Sequence, residues 1–335
     1  MRFSVHIPTA AEGLAHPVPF TGVDEIVAIA RAAETLGYDG VWGNYHITTQ
    51  GYVADLWPDP PSYYDTLVVL AAIAVQTTRL ELGTAVLPPH FFVMPALAKQ
   101  VATLDRLSAG RMRLGLGVGA YREEFEAVWP GTGGHRGQWL DEALVALRAL
   151  FAESSASFAG KYVSFRDVAS YPKPIQDPLP LYVGGHHLRT VERAARAADG
   201  WIPGWQPIDE MARRITMLRE LTEAVGRPPS AVEVAPQLSA TIADTDALAV
   251  ADYERSGLVA HRRSLAYTGR DLSRQVGCNL IGSPATIRAK VQQLAGIGVD
   301  HLCALWFPTS TVQEMLSQME WFAGEVVAPL RKEEA

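Results

Sequence analysis

The chain has 335 residues, 48% of them hydrophobic and 19% charged. That balance excludes a disordered chain and is long enough to bury roughly three quarters of its unfolded surface. Acidic residues outnumber basic ones by 36 to 29, and the formal charge of −7 offers no cationic face to a nucleic acid or an anionic membrane. Two cysteines, Cys278 and Cys303, lack a CxxC spacing and support neither a disulfide framework nor a metal site. Both read as reduced, buried thiols. The N-terminus has no signal-peptide apolar region, and the longest apolar run, 67–75, is too short to span a bilayer. A cytoplasmic location is expected.

In chain order, short apolar runs rich in β-formers alternate with segments of helical period. The strands are expected at 3–8, 39–43, 80–85, 112–118, 181–184, 200–203, 232–241 and 299–306. Helices are expected at 24–36, 66–75, 95–107, 138–151, 188–198, 208–225, 284–294 and 312–327. The first places Ile26, Ile29, Ala30, Ala33 and Leu36 on one stripe and stops at Gly37. The seventh opens with Ser283 as N-cap and Pro284 in its first turn. Eight strand–helix units predict an α/β fold, an eight-stranded parallel β/α (TIM) barrel. A doubly wound open sheet is the rival, but the turn after the first strand lacks the glycine-rich fingerprint. With no Pro-rich or charged linker, residues 1–335 read as one domain with insertions at about 44–64, 153–180 and 243–282. The second insertion carries a hairpin pattern at 158–165.

In a barrel, chemistry sits where strands end. The second strand runs into Asn44, Tyr45 and His46, and His46 is the best single candidate, because an imidazole exchanges a proton near neutrality. His6, close to the end of the first strand, is a further candidate for the pocket. Gly83 and Thr84 end the third strand, and Gly115, Gly117 and Gly119 punctuate the end of the fourth. Missing side chains there admit either a flat ring or tight packing. After the fifth strand, Gly184, Gly185 and His186 lead into a helix whose first N–H groups suit a phosphate, with Arg189 nearby. His186 and His187 as sequence neighbours do not make a metal site. Trp57, Tyr63, Tyr64, Trp201, Trp205 and Trp306 supply candidate aromatic walls or core, and Glu123–Glu124 reads as charge compensation at a helix start.

Several segments together resemble the luciferase-like monooxygenase superfamily: AKQVATLDRLSAGR at 98–111, LGLGVG at 114–119 followed by Glu124-Phe125, AVQTTRLELGT at 74–84, PKPIQ at 172–176, and Gly184-Gly185 with ADGW at 198–201. The resemblance implies a β/α barrel that uses reduced flavin mononucleotide (FMN) or the deazaflavin coenzyme F-420. It implies that His46 lies beside the reactive ring, that Gly83 and Thr84 approach that ring, that Gly184, Gly185 and the following residue hold the phosphate, and that Arg111 is structural. It also implies a homodimer. Three positions depart from the common pattern. Tyr45 replaces a frequent carboxylate before the histidine, Ala120 stands where sugar-phosphate-oxidising relatives carry a catalytic glutamate, and His186 replaces a small hydroxyl residue.

The resulting expectation is an oxidoreductase in which reduced coenzyme F-420 transfers hydride to a small organic substrate while His46 handles the proton. The alternative is an FMN-dependent monooxygenase, using reduced FMN plus oxygen. A second alternative, from another class, is a non-catalytic ligand-binding barrel or partner subunit.

Overall fold

The structure, a computed structural model, describes residues 1–132, 135–264 and 272–334. The first half of the chain forms β1 (Arg2–Ile7), α1 (Val23–Thr35), β2 (Gly40–Gly43), α2 (Gly51–Leu56), α3 (Thr66–Ala74), β3 (Glu81–Thr84), α4 (Met94–Leu107), β4 (Met112–Leu116), α5 (Arg122–Val128) and α6 (Arg136–Ala152). Next come β5 (Ala156–Ala159), β6 (Ser164–Val168), β7 (Leu181–Gly184), α7 (Leu188–Ala197), β8 (Gly200–Ile202), α8 (Ile208–Ala224), β9 (Glu233–Val234) and β10 (Gln237–Ile242). The chain closes with α9 (Asp246–Glu254), α10 (Gly257–Ser264), β11 (Leu280–Gly282), α11 (Pro284–Gly296), β12 (His301–Trp306), α12 (Val312–Phe322) and α13 (Ala328–Glu334).

Ten strands form one parallel sheet in the order β11-β10-β12-β1-β2-β3-β4-β7-β8-β9. The strands are short apolar runs because both faces are covered, which removes the polar alternation of a half-exposed strand; β2 and β7, for example, are buried at every residue. The sheet curls, so that Asp300 N donates to Val234 O at 3.0 Å and Cys303 N to Pro236 O at 3.2 Å, joining the β9 end of the order to β12. Each of the eight expected strand segments coincides with part of this sheet. Of the two additional strands, β9 arises because the segment 232–241 divides into β9 and β10, and β11 is a short strand paired to the far end of β10.

The expected helices are present, and their ends follow local chemistry. In α1, Ile26, Ile29, Ala30 and Ala33 are buried, and Gly37 at φ +85° lets the chain leave the helix. Pro284 opens α11, whereas the Ser283 hydroxyl donates to the Thr286 hydroxyl at 3.2 Å instead of accepting a helix N–H. Arg111 spans α3 and β3: its guanidinium donates to the carbonyls of Ala74, Thr77, Leu80 and Ser108. That satisfies carbonyls left open at a helix end.

The insertion at 44–64 carries α2, and the one at 153–180 carries the antiparallel hairpin β5–β6. The third, 243–282, carries α9, α10 and β11, with residues 265–271 outside the described ones. Cys303 is buried and Cys278 is half-buried; both are free thiols. Among the described residues no helix is long and apolar enough to cross a membrane.

Candidate active site

A cavity of about 520 Å³ opens at the carboxyl ends of the strands. It is bordered by the segments that follow β2, β3, β4, β7 and β8, by the start of β10, by the end of β12 and by α10. This volume lies within the range of small-molecule and cofactor sites.

His46 borders the cavity. Its Nδ1 lies 3.1 Å from both carboxylate oxygens of Glu124, in the first turn of α5, and Glu124 Oε1 also accepts the Ile47 N–H at 3.2 Å. The Glu124 side chain is only 2% exposed and that of His46 10%. A buried carboxylate facing one ring nitrogen assigns the proton to that nitrogen, so Nδ1–H donates to Glu124 and Nε2 keeps its lone pair. Among the described residues Nε2 has no hydrogen-bond partner. Position 45 contributes no acid, but an acid–histidine pair exists all the same, with its carboxylate coming from the first turn of α5. Glu123 and Glu124 therefore have separate duties: the Glu123 carboxylate accepts the Gly51 N–H that opens α2, and only Glu124 reaches the cavity. Their reading as a generic helix-start pair missed this, although Glu124-Phe125 had already been among the residues carrying the family resemblance.

Gly117, Gly184, Gly185 and His186 all border the cavity with His46. His6, Gly83 and Thr84 do not. His6 is buried behind Trp306, its ring stacked on the indole at 3.3 Å between centroids, with Nε2 3.1 Å from the Asn44 side-chain oxygen. Burial keeps that imidazole neutral, pushing its pKa well below the usual histidine value. A Cβ on Gly83 would lie 2.1 Å from the Trp42 ring, so the glycine makes room for a core tryptophan. The Thr84 hydroxyl donates to Gly115 O and accepts from Gly115 N, locking β3 to β4. The cavity wall begins two residues later, with Ala85 and Val86.

Val86 explains the glycines beside it. A Cβ on Gly117 would stand 2.4 Å from Val86 Cγ2, and one on Gly184 2.5 Å from Val86 Cγ1. The space those glycines clear is filled by a valine wedge whose outer side meets the cavity. At the proposed phosphate end, Gly185 N already donates to Ile202 O at 2.9 Å, and Arg189 N to the His187 ring at 3.2 Å. Of that segment, Gly184, Gly185 and His186 border the cavity. Trp205 and Trp306 border the cavity as expected. Trp201 is instead a core residue whose Nε1 donates to Gly185 O at 2.8 Å, and Tyr64 donates to Thr21 O.

A cavity at the strand carboxyl ends, with a histidine–carboxylate pair and aromatic walls, defines an α/β enzyme of the curled parallel-sheet type. The chain belongs to the luciferase-like monooxygenase family, whose profile matches residues 1–301. It is 29% identical over 325 residues to the F-420-dependent glucose-6-phosphate dehydrogenase of Kineococcus radiotolerans, covering 92% of this chain and 93% of that one. An uncharacterized protein of Mycobacterium tuberculosis is 36% identical over 166 residues, a match that spans 49% of this chain and 57% of the relative. Among solved structures, the monooxygenase RslO1 from Streptomyces bottropensis superposes with a TM-score of 0.81 at 23% identity, covering 98% of this chain and 100% of that one. An F-420-dependent secondary alcohol dehydrogenase superposes at 0.78 and 18% identity, covering 98% of each chain. At these identities the two structures establish the shared fold.

Proposed function

We propose that this chain is an oxidoreductase that binds reduced coenzyme F-420 in the cavity and acts on a small organic substrate, with His46 handling the proton. The observation that carries the reading is the His46–Glu124 pair: one nitrogen is fixed by a buried carboxylate and the other, on the cavity wall, has no partner among the described residues. Similarity to an F-420-dependent dehydrogenase over nearly the whole chain supports the choice of deazaflavin.

The residues present fit a flat ring system. Val86, held between Gly117 and Gly184, makes a smooth apolar back wall, and Trp306 and Trp205 supply aromatic faces. The His186 side chain stands at the start of α7, where an anionic tail is favoured. When bound, the reduced deazaflavin supplies hydride. Glu124 holds the His46 ring in one orientation, so His46 Nε2, once it has taken up a proton from solvent, delivers to the substrate oxygen the proton that a reduction by hydride consumes. The apolar rim residues Leu14, Leu238 and Leu258 exclude water from that exchange.

The same reading takes β9 and β10 as sharing one position of an eight-position barrel, supported by the hydrogen bonds from Asp300 and Cys303. It also takes the chain as one domain, a homodimer and a cytoplasmic protein. Parallel anaerobic titrations with reduced coenzyme F-420 and reduced FMN test it. Tight binding of the deazaflavin alone is the expected result. Preference for FMN, followed by a long-lived oxygen adduct when air is admitted, would replace this function with that of a monooxygenase. Binding of neither would leave a non-catalytic barrel.

A further inference from the structure

Three segments far apart in sequence meet on the cavity wall next to His46. Tyr52 comes from α2, Tyr121 from the loop after β4, and His261 from α10. The Tyr52 hydroxyl lies 2.5 Å from His261 Nδ1, and the Tyr121 hydroxyl lies 3.2 Å from His261 Nε2 and 3.3 Å from the Tyr52 hydroxyl. Tyr121 and His261 border the cavity, and the Tyr121 and His46 rings are 5.3 Å apart.

Elementary bookkeeping gives this cluster a direction. Burial, with the Arg262 charge nearby, holds His261 neutral by pushing its pKa down to about 3. A neutral imidazole has one donor nitrogen and one acceptor nitrogen. O–H donors make shorter contacts than N–H donors, so the 2.5 Å contact is Tyr52 O–H donating to Nδ1, and the 3.2 Å contact is Nε2–H donating to the Tyr121 oxygen. Burial also keeps Tyr121 protonated far above neutral pH. The Tyr121 hydroxyl therefore receives a hydrogen bond from a nitrogen that is itself polarised by Tyr52. With the Tyr52 proton committed to Nδ1, the Tyr121 proton points to the Tyr52 oxygen at 3.3 Å, a long bond that a shorter one to a substrate oxygen in the cavity replaces. Chained donors strengthen one another in a low-dielectric wall.

We infer that Tyr121 is a substrate-orienting hydrogen-bond donor, polarised by the Tyr52–His261 relay, which selects substrates bearing a carbonyl oxygen and presents that oxygen to His46. The inference rests on the proposed function for the identity of the reaction, but not for the binding event. Tyr121 is the residue that touches substrate; His261 and Tyr52 are positioning residues.

The test uses two isosteric probes, acetophenone and α-methylstyrene, in which a carbonyl oxygen is exchanged for a methylene. Affinities are read from quenching of the cavity tryptophans Trp205 and Trp306, on the full chain with the cofactor selected by the titrations above and again without it. Tyr121→Phe should weaken acetophenone by about fivefold and leave α-methylstyrene within about twofold, the scale of one lost neutral hydrogen bond. Tyr52→Phe should weaken acetophenone by about twofold, again sparing the hydrocarbon. The infrared carbonyl stretch of bound acetophenone should move to higher wavenumber in Tyr121→Phe, a readout that a purely structural role would not shift. Equal losses for both probes, no loss for either, an unmoved carbonyl band, or no binding of the ketone by the folded parent chain would overturn the inference. Failure of the proposed cofactor would appear separately, in the titrations.

Discussion

Among the described residues there are two histidine–glutamate pairs, each 3.1 Å apart, at opposite ends of the sheet: His46–Glu124 at the carboxyl ends of the strands and His301–Glu233 at the amino ends. Their first bonds are alike and their surroundings differ. The second nitrogen of His301 meets the Ser4 hydroxyl at 2.7 Å, and Glu233 also accepts from the Tyr182 hydroxyl and from Arg2. Arg2 continues to Glu81, and Glu81 to Arg113. His301 is fully buried and every nitrogen of its ring is spoken for, so this pair is part of a closed scaffold. His46 has one nitrogen held and the other at a cavity. A histidine–carboxylate pair thus becomes chemical machinery through the nitrogen left over, and not through the pair itself.

The largest expected effect breaks the cavity pair. His46→Ala should lower turnover of the first substrate found by screening by about 10²–10⁴-fold, the usual worth of a general acid–base group. Cofactor affinity should stay within a few-fold, and the melting temperature should fall only as far as the nearly buried Glu124 carboxylate, which keeps the Ile47 N–H, misses its partner. His301→Ala should show the opposite pattern, with a large loss of stability and unchanged turnover per folded molecule. Equal rate losses in both variants would end the distinction between the two pairs.

The scaffold pair carries the next effect, and it has a pH signature. Burial alone would raise the Glu233 pKa, but the hydrogen bond and charge of His301, with Arg2 and Tyr182, pull it down to about 2 from an ordinary 4.5. A carboxylate with a depressed folded-state pKa stabilises the fold above its unfolded value, and that contribution disappears as pH falls through the folded one. The term is therefore complete above about pH 4.5 and is lost between 4.5 and about 2. Its size is roughly 3 kcal/mol. Glu233→Gln should cost about that much at pH 7 in urea unfolding and should flatten the acid limb below pH 4.5. A variant that keeps the parent's acid limb would place the titrating group elsewhere.

How much of this was legible in the sequence follows from how far apart the partners lie. The strand and helix segments are local patterns, readable from period and end signals, and Gly37 and Pro284 mark ends where the structure has them. His46 was visible because it follows directly on a strand. Glu124 is 78 residues further along, His301 is 68 from Glu233, and His261 is 209 from Tyr52, so no window on the chain shows any of these pairs. Val86 was illegible for a different reason: an apolar residue after a strand gives no sign that two later glycines exist to receive it. Gly117 reads in the sequence as room for a flat ring or for tight packing, and Gly184 as part of a phosphate turn; both border the cavity, and Val86 packs into the space that each leaves.

The glycines sharpen the comparison at the smallest scale. Gly83 and Gly117 sit on neighbouring parts of the sheet, and at both an added methyl would collide with a side chain, at 2.1 Å with the Trp42 ring and at 2.4 Å with Val86 Cγ2. The difference is where the neighbour can go. Trp42 is completely buried, packed among other core side chains, whereas Val86 borders the cavity. Gly83→Ala should therefore cost about 2–3 kcal/mol, the upper part of the overpacking range, with little change in cofactor affinity for the molecules that fold. Gly117→Ala should cost only about 1 kcal/mol, because the valine yields into the cavity, and the ring-binding wall should pay instead, with cofactor affinity falling by about tenfold. Thermal unfolding and anaerobic titration of the two variants side by side measure both quantities. If Gly117→Ala lost stability and kept its affinity, Val86 would belong to the scaffold, and the cavity wall would have to be drawn further out.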